Sequence, residues 1–183
     1  MSAIDLRCPA ASDALAVAEL VRCCPPLDPN SVYCNLLQCT HFADCAVVAD
    51  CCGKLVGSVT GYRLPQQPDA LFIWQVAVHE SARGQGLAQR MLLHLLQRAS
   101  HADIRYLETT ITADNRASWR LFQGLAERCG WPQHQQLLFD SQRDFGGHHP
   151  SEYLLRLGPL SPARAAAGSP LLTKQRPYHV DPV

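Results

Sequence analysis

The chain has 183 residues, of which 47% are hydrophobic and 17% charged, and its 16 basic residues balance 16 acidic ones. A chain of this length can bury one sizeable core, so the composition indicates a single globular domain. The charge balance argues against a nucleic-acid partner, and no stretch reaches the ~18 apolar residues of a membrane span. The first twenty residues carry two aspartates and lack a basic stretch followed by an apolar one. We therefore expect no signal peptide and a cytoplasmic protein.

Nine cysteines are spread over positions 8 to 129, and no two have the C-x-x-C spacing typical of zinc sites and redox motifs. Several lie inside apolar runs. We expect small buried side chains in a reducing compartment, and no bound metal.

The first half of the chain predicts a strand, two helices and then a hairpin. The strand covers "AIDLRCP" (3–9), and apolar residues at helical spacing predict a helix over 12–24. After "PPLDPNS", a second helix is expected over about 30–39, with Asp28 as its N-cap and Pro29 at its first position. Strands over 45–50 and 54–64 flank "CCG", which indicates a hairpin.

The second half begins with "ALFIWQVAVH" (70–79), which is apolar on both faces as in a central strand. A glycine loop and a helix follow, then a strand over 104–111 and a helix over 114–130 with Asp114 or Asn115 as N-cap and Gly130 at its end. "QLLFD" and 152–158 predict two last strands. We expect a folded domain over 1–160 and a disordered Pro/Ala-rich tail over 161–183.

The loop in "HESARGQGLAQRML" (79–92) places glycines and an arginine at the start of a helix. Free N–H groups at a helix N-terminus favour phosphate oxygens, and Gly84 and Gly86 let the backbone approach closely. Arg83 adds a charged donor. The loop therefore predicts a pyrophosphate site, with a simple tight turn as the alternative. A P-loop lysine is absent, and Gln89 replaces the third glycine of a Rossmann fingerprint, although Glu108 lies near the position of its acidic residue.

The pattern Arg83-x-x-Gly86-x-Ala88 resembles the acyl-coenzyme A signature of the GNAT acetyltransferases, and the order of predicted elements is similar. The segment "DNRASWRLF" resembles the family's later helix, which begins at an Asn beside the coenzyme. The resemblance implies an α/β (α+β) GNAT fold, with a mixed, mostly antiparallel central sheet flanked by helices. It also implies coenzyme contacts at Val76, Val78, Arg83, Gly84, Gly86, Ala88 and Asn115, and an oxyanion-binding backbone N–H within 75–78.

One position departs from the broader GNAT pattern. Many members carry a tyrosine, as a general acid, seven residues after the helix-opening Asn, and here that position is Phe122. Phenylalanine has no proton to donate. Because a thiolate is a fairly good leaving group, water is expected to suffice.

Longer stretches, among them "LDPNSVYC", "DALFIWQVAV" and "FGGHHPSEYLLRL", resemble the L-2,4-diaminobutyrate acetyltransferases of ectoine biosynthesis over roughly residues 4–160. That resemblance implies acetyl transfer from acetyl-CoA to the 4-amino group of L-2,4-diaminobutyrate. It also implies a homodimer.

An amine that attacks a thioester must first lose a proton, because at neutral pH it is mostly ammonium. Glu152 follows a loop that could close over a ligand, Glu108 lies on a strand, and His149 could relay a proton. We take these three as candidate catalytic residues. The alternatives are a solvated strand end for Glu152, an ion pair for Glu108 and an ordinary loop position for His149.

The substrate also needs a carboxylate for its 2-ammonium group. Asp28 is the candidate, with the N-cap as its alternative role. Asn30 and Tyr33 lie one helical turn apart and could line the same wall. Trp74 lies mid-strand near the expected thioester, with core packing as the alternative.

Two rival functions remain open from the sequence. A GNAT enzyme could act on another small amine or on a protein N-terminus. A non-catalytic acyl-CoA-binding regulator is the second rival, mildly favoured by Phe122.

Overall fold

The computed structural model describes residues 3–160, which form one mixed sheet with helices on both faces. The tail expected over 161–183 lies outside the described residues. The strands are β1 (Asp5–Arg7), β2 (Val47–Cys51), β3 (Lys54–Leu64), β4 (Gln67–Val78), β5 (Tyr106–Thr112), β6 (Gln133–Phe139) and β7 (Glu152–Leu157). Their order in the sheet is β1-β2-β3-β4-β5-β7-β6. Of these neighbouring pairs, only β4 and β5 run parallel, which confirms the predicted mixed, mostly antiparallel sheet.

Four helices complete the described fold, and local signals in the sequence explain where they start and stop. They are α1 (Ala14–Arg22), α2 (Val32–Gln38), α3 (Leu87–Leu96) and α4 (Arg116–Cys129). The Asn115 side chain accepts from the backbone N–H of Ser118 at 3.1 Å, and Gly130 ends α4 with a φ of 64°. Both features were predicted, and both satisfy backbone groups that the helix itself leaves free.

The N-cap predicted for α2 was wrong. The hydroxyl of Ser31, not the carboxylate of Asp28, accepts from the backbone N–H of Cys34 at 3.1 Å. Asp28 and Pro29 have the residue types of a helix start, but residues 28–31 are not helical and α2 begins only at Val32. Ser31 is extended, with a ψ of 153°, and it immediately precedes the first helical residue. Asp28 therefore does not cap α2.

The sheet separates two hydrophobic clusters. The larger one packs α3 and α4 against one face and includes Met91, Leu92 and Leu125. The smaller one packs α1 against the other face, with Val17 and Val21 among its members. No helix within residues 3–160 is long and apolar enough to cross a membrane. All nine cysteines lie in this range, and all are free.

The two central strands diverge part-way along the sheet. Three residue pairs join β4 to β5, and the last is Phe72 with Glu108. Just beyond, the register of β3 with β4 skips Trp74, because Gly61 pairs with Ile73 and Thr60 with Gln75. Such a bulge bends a strand and changes where its side chains point. The result is a cleft between β4 and β5 in the middle of the sheet.

Candidate active site

The cleft between β4 and β5 opens into the cavity that holds most of the predicted site residues. Where the strands part, the Thr109 hydroxyl donates at 3.0 Å to the carbonyl of Ile73, the first β4 residue beyond the last pair with β5. The cavity has a volume of about 520 Å³. Its lining comes from four parts of the chain: Pro26, Leu27, Asp28 and Asn30; Ile73 to Val76; Thr109 to Thr112, with Asp114, Asn115, Ser118 and Phe122; and His149, Pro150 and Glu152.

The glycine loop joins β4 to α3 with two left-handed residues. Gly84 has a φ of 73° and Gly86 a φ of 70°, a region that side-chain-bearing residues rarely adopt. A Cβ atom built at either position would meet no atom within 4 Å, so the space above the loop is open. Gly86 is the N-cap residue of α3, and Arg83 Nε donates to the Val78 carbonyl at 3.0 Å. An open helix N-terminus beside an arginine fits a pyrophosphate group.

The segment 26–30 forms one wall of the cavity and is tied to β4 by a single side chain. Gln75 Nε2 donates to the Asp28 carbonyl at 2.7 Å, and Gln75 Oε1 accepts from Asn30 Nδ2 at 2.8 Å. The Asp28 side chain itself is 88% exposed, and its carboxylate lies 3.8 Å from His149 Nε2. The wall therefore presents a carboxylate that is free to meet a cationic ligand.

Glu152, the first residue of β7, faces the same cavity from the opposite side. Its Oε2 atom is buried and has no hydrogen-bond partner among the described residues. Burial raises the pKa of this carboxyl, and the nearby His149 and a hydrogen bond with Thr110 oppose that shift. A half-buried carboxylate with an unused oxygen can accept a proton from a ligand.

His149 links the two walls. The His149 ring packs 4.8 Å from the ring of Phe145, and its Nδ1 lies 2.8 Å from the Pro150 carbonyl. Since a carbonyl only accepts, Nδ1 carries the proton of that hydrogen bond. The other ring nitrogen, Nε2, faces the Asp28 carboxylate.

Comparisons with known proteins agree with this geometry. The sequence model described as "Acetyltransferase (GNAT) family" matches residues 15–131. An L-2,4-diaminobutyric acid acetyltransferase of Methylotuvimicrobium alcaliphilum is 51% identical over 162 residues, 88% of this chain and 94% of that protein. One from Vibrio cholerae is also 51% identical, over 82% of this chain and 87% of its own length.

A solved structure is similar as well. Diaminobutyrate acetyltransferase EctA from Paenibacillus lautus, in complex with L-2,4-diaminobutyric acid and coenzyme A, has a TM-score of 0.84 and 36% identity. The match covers 88% of this chain and 98% of that one. The chain belongs to the GNAT acetyltransferase family, among the L-2,4-diaminobutyric acid acetyltransferases.

In this GNAT acetyltransferase the sheet brings together seven of the residues singled out from the sequence. Asp28, Asn30, Trp74, Val76, Asn115, His149 and Glu152 all line the cavity. Trp74 is not a core residue, since it is 46% exposed; its ring lies edge-on to the Tyr62 ring, with 6.2 Å between the ring centroids. Val78, Arg83, Gly84, Gly86 and Ala88 lie instead in and beside the glycine loop.

Two candidates, Tyr33 and Glu108, lie neither in the cavity nor at the glycine loop. Tyr33 is 70% exposed and does not line it, and Asn30 lies before α2 rather than inside it, so the two do not share a wall. Glu108 is buried, and its Oε1 lies 3.0 Å from Arg156 Nη1. That guanidinium also stacks 3.9 Å above the Tyr106 ring. Burial raises the pKa of Glu108 and the Arg156 charge opposes the shift, so the geometry favours the ion-pair alternative.

Sequence reasoning missed several polar residues of this GNAT site. Gln75 is the clearest, and a single amide inside the apolar run "FIWQVAV" was a signal for it. Thr110 and Thr112 also line the cavity, and the polar run "TTIT" on a central strand could have indicated them; Asp114, considered only as an N-cap, lines it as well. No group of three or more histidine, cysteine, aspartate or glutamate side chains within residues 3–160 is placed to hold a metal ion.

Proposed function

We propose that the chain transfers the acetyl group of acetyl-CoA to the 4-amino group of L-2,4-diaminobutyrate, giving the 4-N-acetyl product used in ectoine biosynthesis. The identity of 51% over nearly all of a diaminobutyric acid acetyltransferase is the observation that carries this proposal.

The charges of the cavity support a small substrate with two ammonium groups. Asp28, Asp114 and Glu152 contribute three carboxylates to the lining, and His149 is the one side chain there that can be cationic. No lysine or arginine appears among these described lining residues. A carboxylate-rich cavity of this kind stabilises ammonium groups and disfavours anionic amino acids.

The two ends of the substrate are assigned by exposure. Asp28, on the exposed wall, pairs with the 2-ammonium group and holds it in place. Glu152 lies deeper and has an unused oxygen, so it meets the 4-amino group. Each carboxylate thus has one task, which is binding for Asp28 and activation for Glu152.

The glycine loop and the cleft fit acetyl-CoA. Backbone N–H groups at the start of α3 and the side chain of Arg83 would hold the pyrophosphate, and the opening between β4 and β5 would hold the arm that ends in the thioester. The thioester supplies an activated acetyl group. Val76 and Asn115 line the cavity beside that opening.

Glu152 takes up the proton that the 4-ammonium group loses before it attacks. His149 lies beside both carboxylates and can pass that proton to solvent. A backbone N–H within 75–78 would stabilise negative charge on the carbonyl oxygen. Phe122 is buried in the cavity lining and offers no proton, so water protonates the departing thiolate.

We further propose a homodimer in the cytoplasm. Strand β6 supports the dimer, because it lies at the sheet edge with Leu137 46% and Phe139 44% exposed. The nine free cysteines support a reducing compartment. Light scattering on the purified protein measures the oligomeric state directly.

The experiment that tests the function is a substrate panel. The purified protein is incubated with acetyl-CoA and with diaminobutyrate, ornithine, lysine, putrescine or an N-terminal peptide, and release of coenzyme A is followed. Diaminobutyrate should give the highest kcat/KM. Faster turnover of a peptide or another amine would favour the first rival function. Binding of acetyl-CoA without turnover of any amine would favour the regulator.

A further inference from the structure

Gln75 makes both of its hydrogen bonds to the wall that carries Asp28. Its amide donates to the Asp28 carbonyl at 2.7 Å and accepts from the Asn30 side chain at 2.8 Å. These bonds span 47 and 45 positions along the chain. They tie a loop that precedes α2 to the middle of the central sheet.

Segment 26–30 has little else to hold it. Pro26, Asp28 and Pro29 are exposed, and only Leu27 packs against the smaller hydrophobic cluster. Two prolines lack a backbone N–H, which reduces the hydrogen bonds the segment can form with its surroundings. The Asp28 carboxylate is 3.8 Å from His149, a contact that requires a protonated ring to attract.

Gln75 is also a residue of the diverging part of β4, directly after the bulge at Trp74. The same short stretch of strand therefore lies beside the proposed thioester and anchors the wall that binds the substrate. A movement of segment 26–30 away from β4 would move Asp28 away from Glu152.

We propose that Gln75 is a positioning residue, which holds the Asp28 carboxylate at the distance from Glu152 that the two ammonium groups of the substrate require; this inference rests on the proposed function. The amide serves both bonds at once, because its nitrogen donates to a carbonyl while its oxygen accepts from an amide N–H. A methionine at this position has similar length and neither bond.

The kinetic test compares Gln75→Met with Gln66→Met, a control at an exposed turn between β3 and β4. Gln75→Met should raise the KM for diaminobutyrate roughly tenfold, because the Asp28 carboxylate that contacts the bound substrate would no longer be held in place. Its kcat and its KM for acetyl-CoA should change by less than about threefold. Gln66→Met should match the wild type.

A double-mutant cycle isolates the route through Asp28. If Gln75 acts by placing that carboxylate, then adding Gln75→Met to Asp28→Asn should raise the KM by less than about twofold further. If Gln75→Met does not fold, Asn30→Ala is the second variant. It removes one of the two bonds, at its half-exposed end, and should give a smaller rise in the KM for diaminobutyrate.

Hydrogen–deuterium exchange gives a readout that needs no turnover. The peptide covering 24–31 should exchange faster in Gln75→Met than in the wild type and in Gln66→Met, and the peptides of β7 should not. If the wild type fails to acetylate diaminobutyrate, the proposed function is wrong and the exchange data still decide whether the tether exists. Unchanged exchange, an unchanged KM or fully additive effects with Asp28→Asn would overturn the inference.

Discussion

Replacing Glu152 by glutamine separates activation of the substrate from its binding. The substitution keeps the size of the side chain and removes its charge. Among residues 3–160, Oε2 of Glu152 has no hydrogen-bond partner, so the substitution breaks few contacts within the described part of the protein. Burial raises the pKa of the carboxyl, which means that the charged form is disfavoured in the folded state. Such a group stabilises the fold below its unfolded pKa and loses that contribution as the pH rises, so glutamine should not destabilise the protein at neutral pH.

The expected loss of rate follows from the state of the amine. An alkylammonium with a pKa of about 10 is less than about 1% neutral at pH 7.5. Without Glu152 to take the proton, only that fraction can react, and kcat should fall roughly 10²–10⁴-fold. This corresponds to about 3–5 kcal/mol of transition-state stabilisation.

The pH dependence gives a second, independent signature. A base must be ionised to act, and the raised pKa of Glu152 places the acid limb of kcat/KM above the ordinary value of about 4.3. In Glu152→Gln that limb should disappear. The rate should instead rise about tenfold per pH unit toward the pKa of the amine.

Steady-state release of coenzyme A between pH 5 and about pH 9.5 measures both effects. Glu127→Gln, at an exposed position on α4, is the matched control and should behave as the wild type. A change in KM alone for Glu152→Gln would contradict this prediction, because Glu152 would then be a binding residue like Asp28. His149 or a water chain would be the next candidate for the base.

Three further predictions concern binding and stability. Asp28→Asn should raise the KM for diaminobutyrate roughly tenfold with little change in kcat and no rescue at high pH, because a ground-state ion pair acts equally in the transition state; a large fall in kcat would contradict this. Gly86→Glu should weaken acetyl-CoA binding at least about 100-fold by calorimetry, whereas Gly53→Glu, at an equally open left-handed turn with a φ of 82°, should not; undiminished affinity would make the loop a simple turn. Arg156→Met leaves the buried Glu108 carboxylate unpaired and should lower the free energy of unfolding by about 3 kcal/mol at pH 7. Burial raises the pKa of Glu108, so the carboxyl is protonated more readily as the pH falls, and the loss of stability should shrink toward pH 4. The kcat of Arg156→Met should stay within about threefold of the wild type. A loss of stability that does not depend on pH would refute the ion-pair assignment.

Local patterns in the sequence predicted the secondary structure well, and errors arose where local signals conflicted. The bounds of β3 were predicted correctly as 54–64. β4 begins at Gln67, earlier than expected. The prediction was late because "PQQPD" has the composition of a turn. Proline is tolerated near a strand end, and here the Pro68 carbonyl accepts from Arg63 Nη1 at 2.9 Å. β6 also begins earlier, at Gln133.

The site was predictable in its types of residue and less so in their arrangement. The acidic residues were visible as candidates, yet periodicity does not give the register between distant strands. Glu108 is directly opposite Arg156 in the β5–β7 ladder, and that pairing alone changes its interpretation from candidate base to ion-pair partner. The bonds from Gln75 to Asp28 and Asn30 join parts of the chain that no local pattern connects.

The position of the acetyl group on the product tests the central claim most directly. The purified protein is incubated with acetyl-CoA and L-2,4-diaminobutyrate, and the product is analysed by NMR. We expect a downfield shift of the protons on the carbon that bears the 4-amino group, with the 2-position unchanged, because the acidic walls bind the 2-ammonium and direct the 4-amino group to the cleft. Acetylation mainly at the 2-amino group, or no product, would contradict the account.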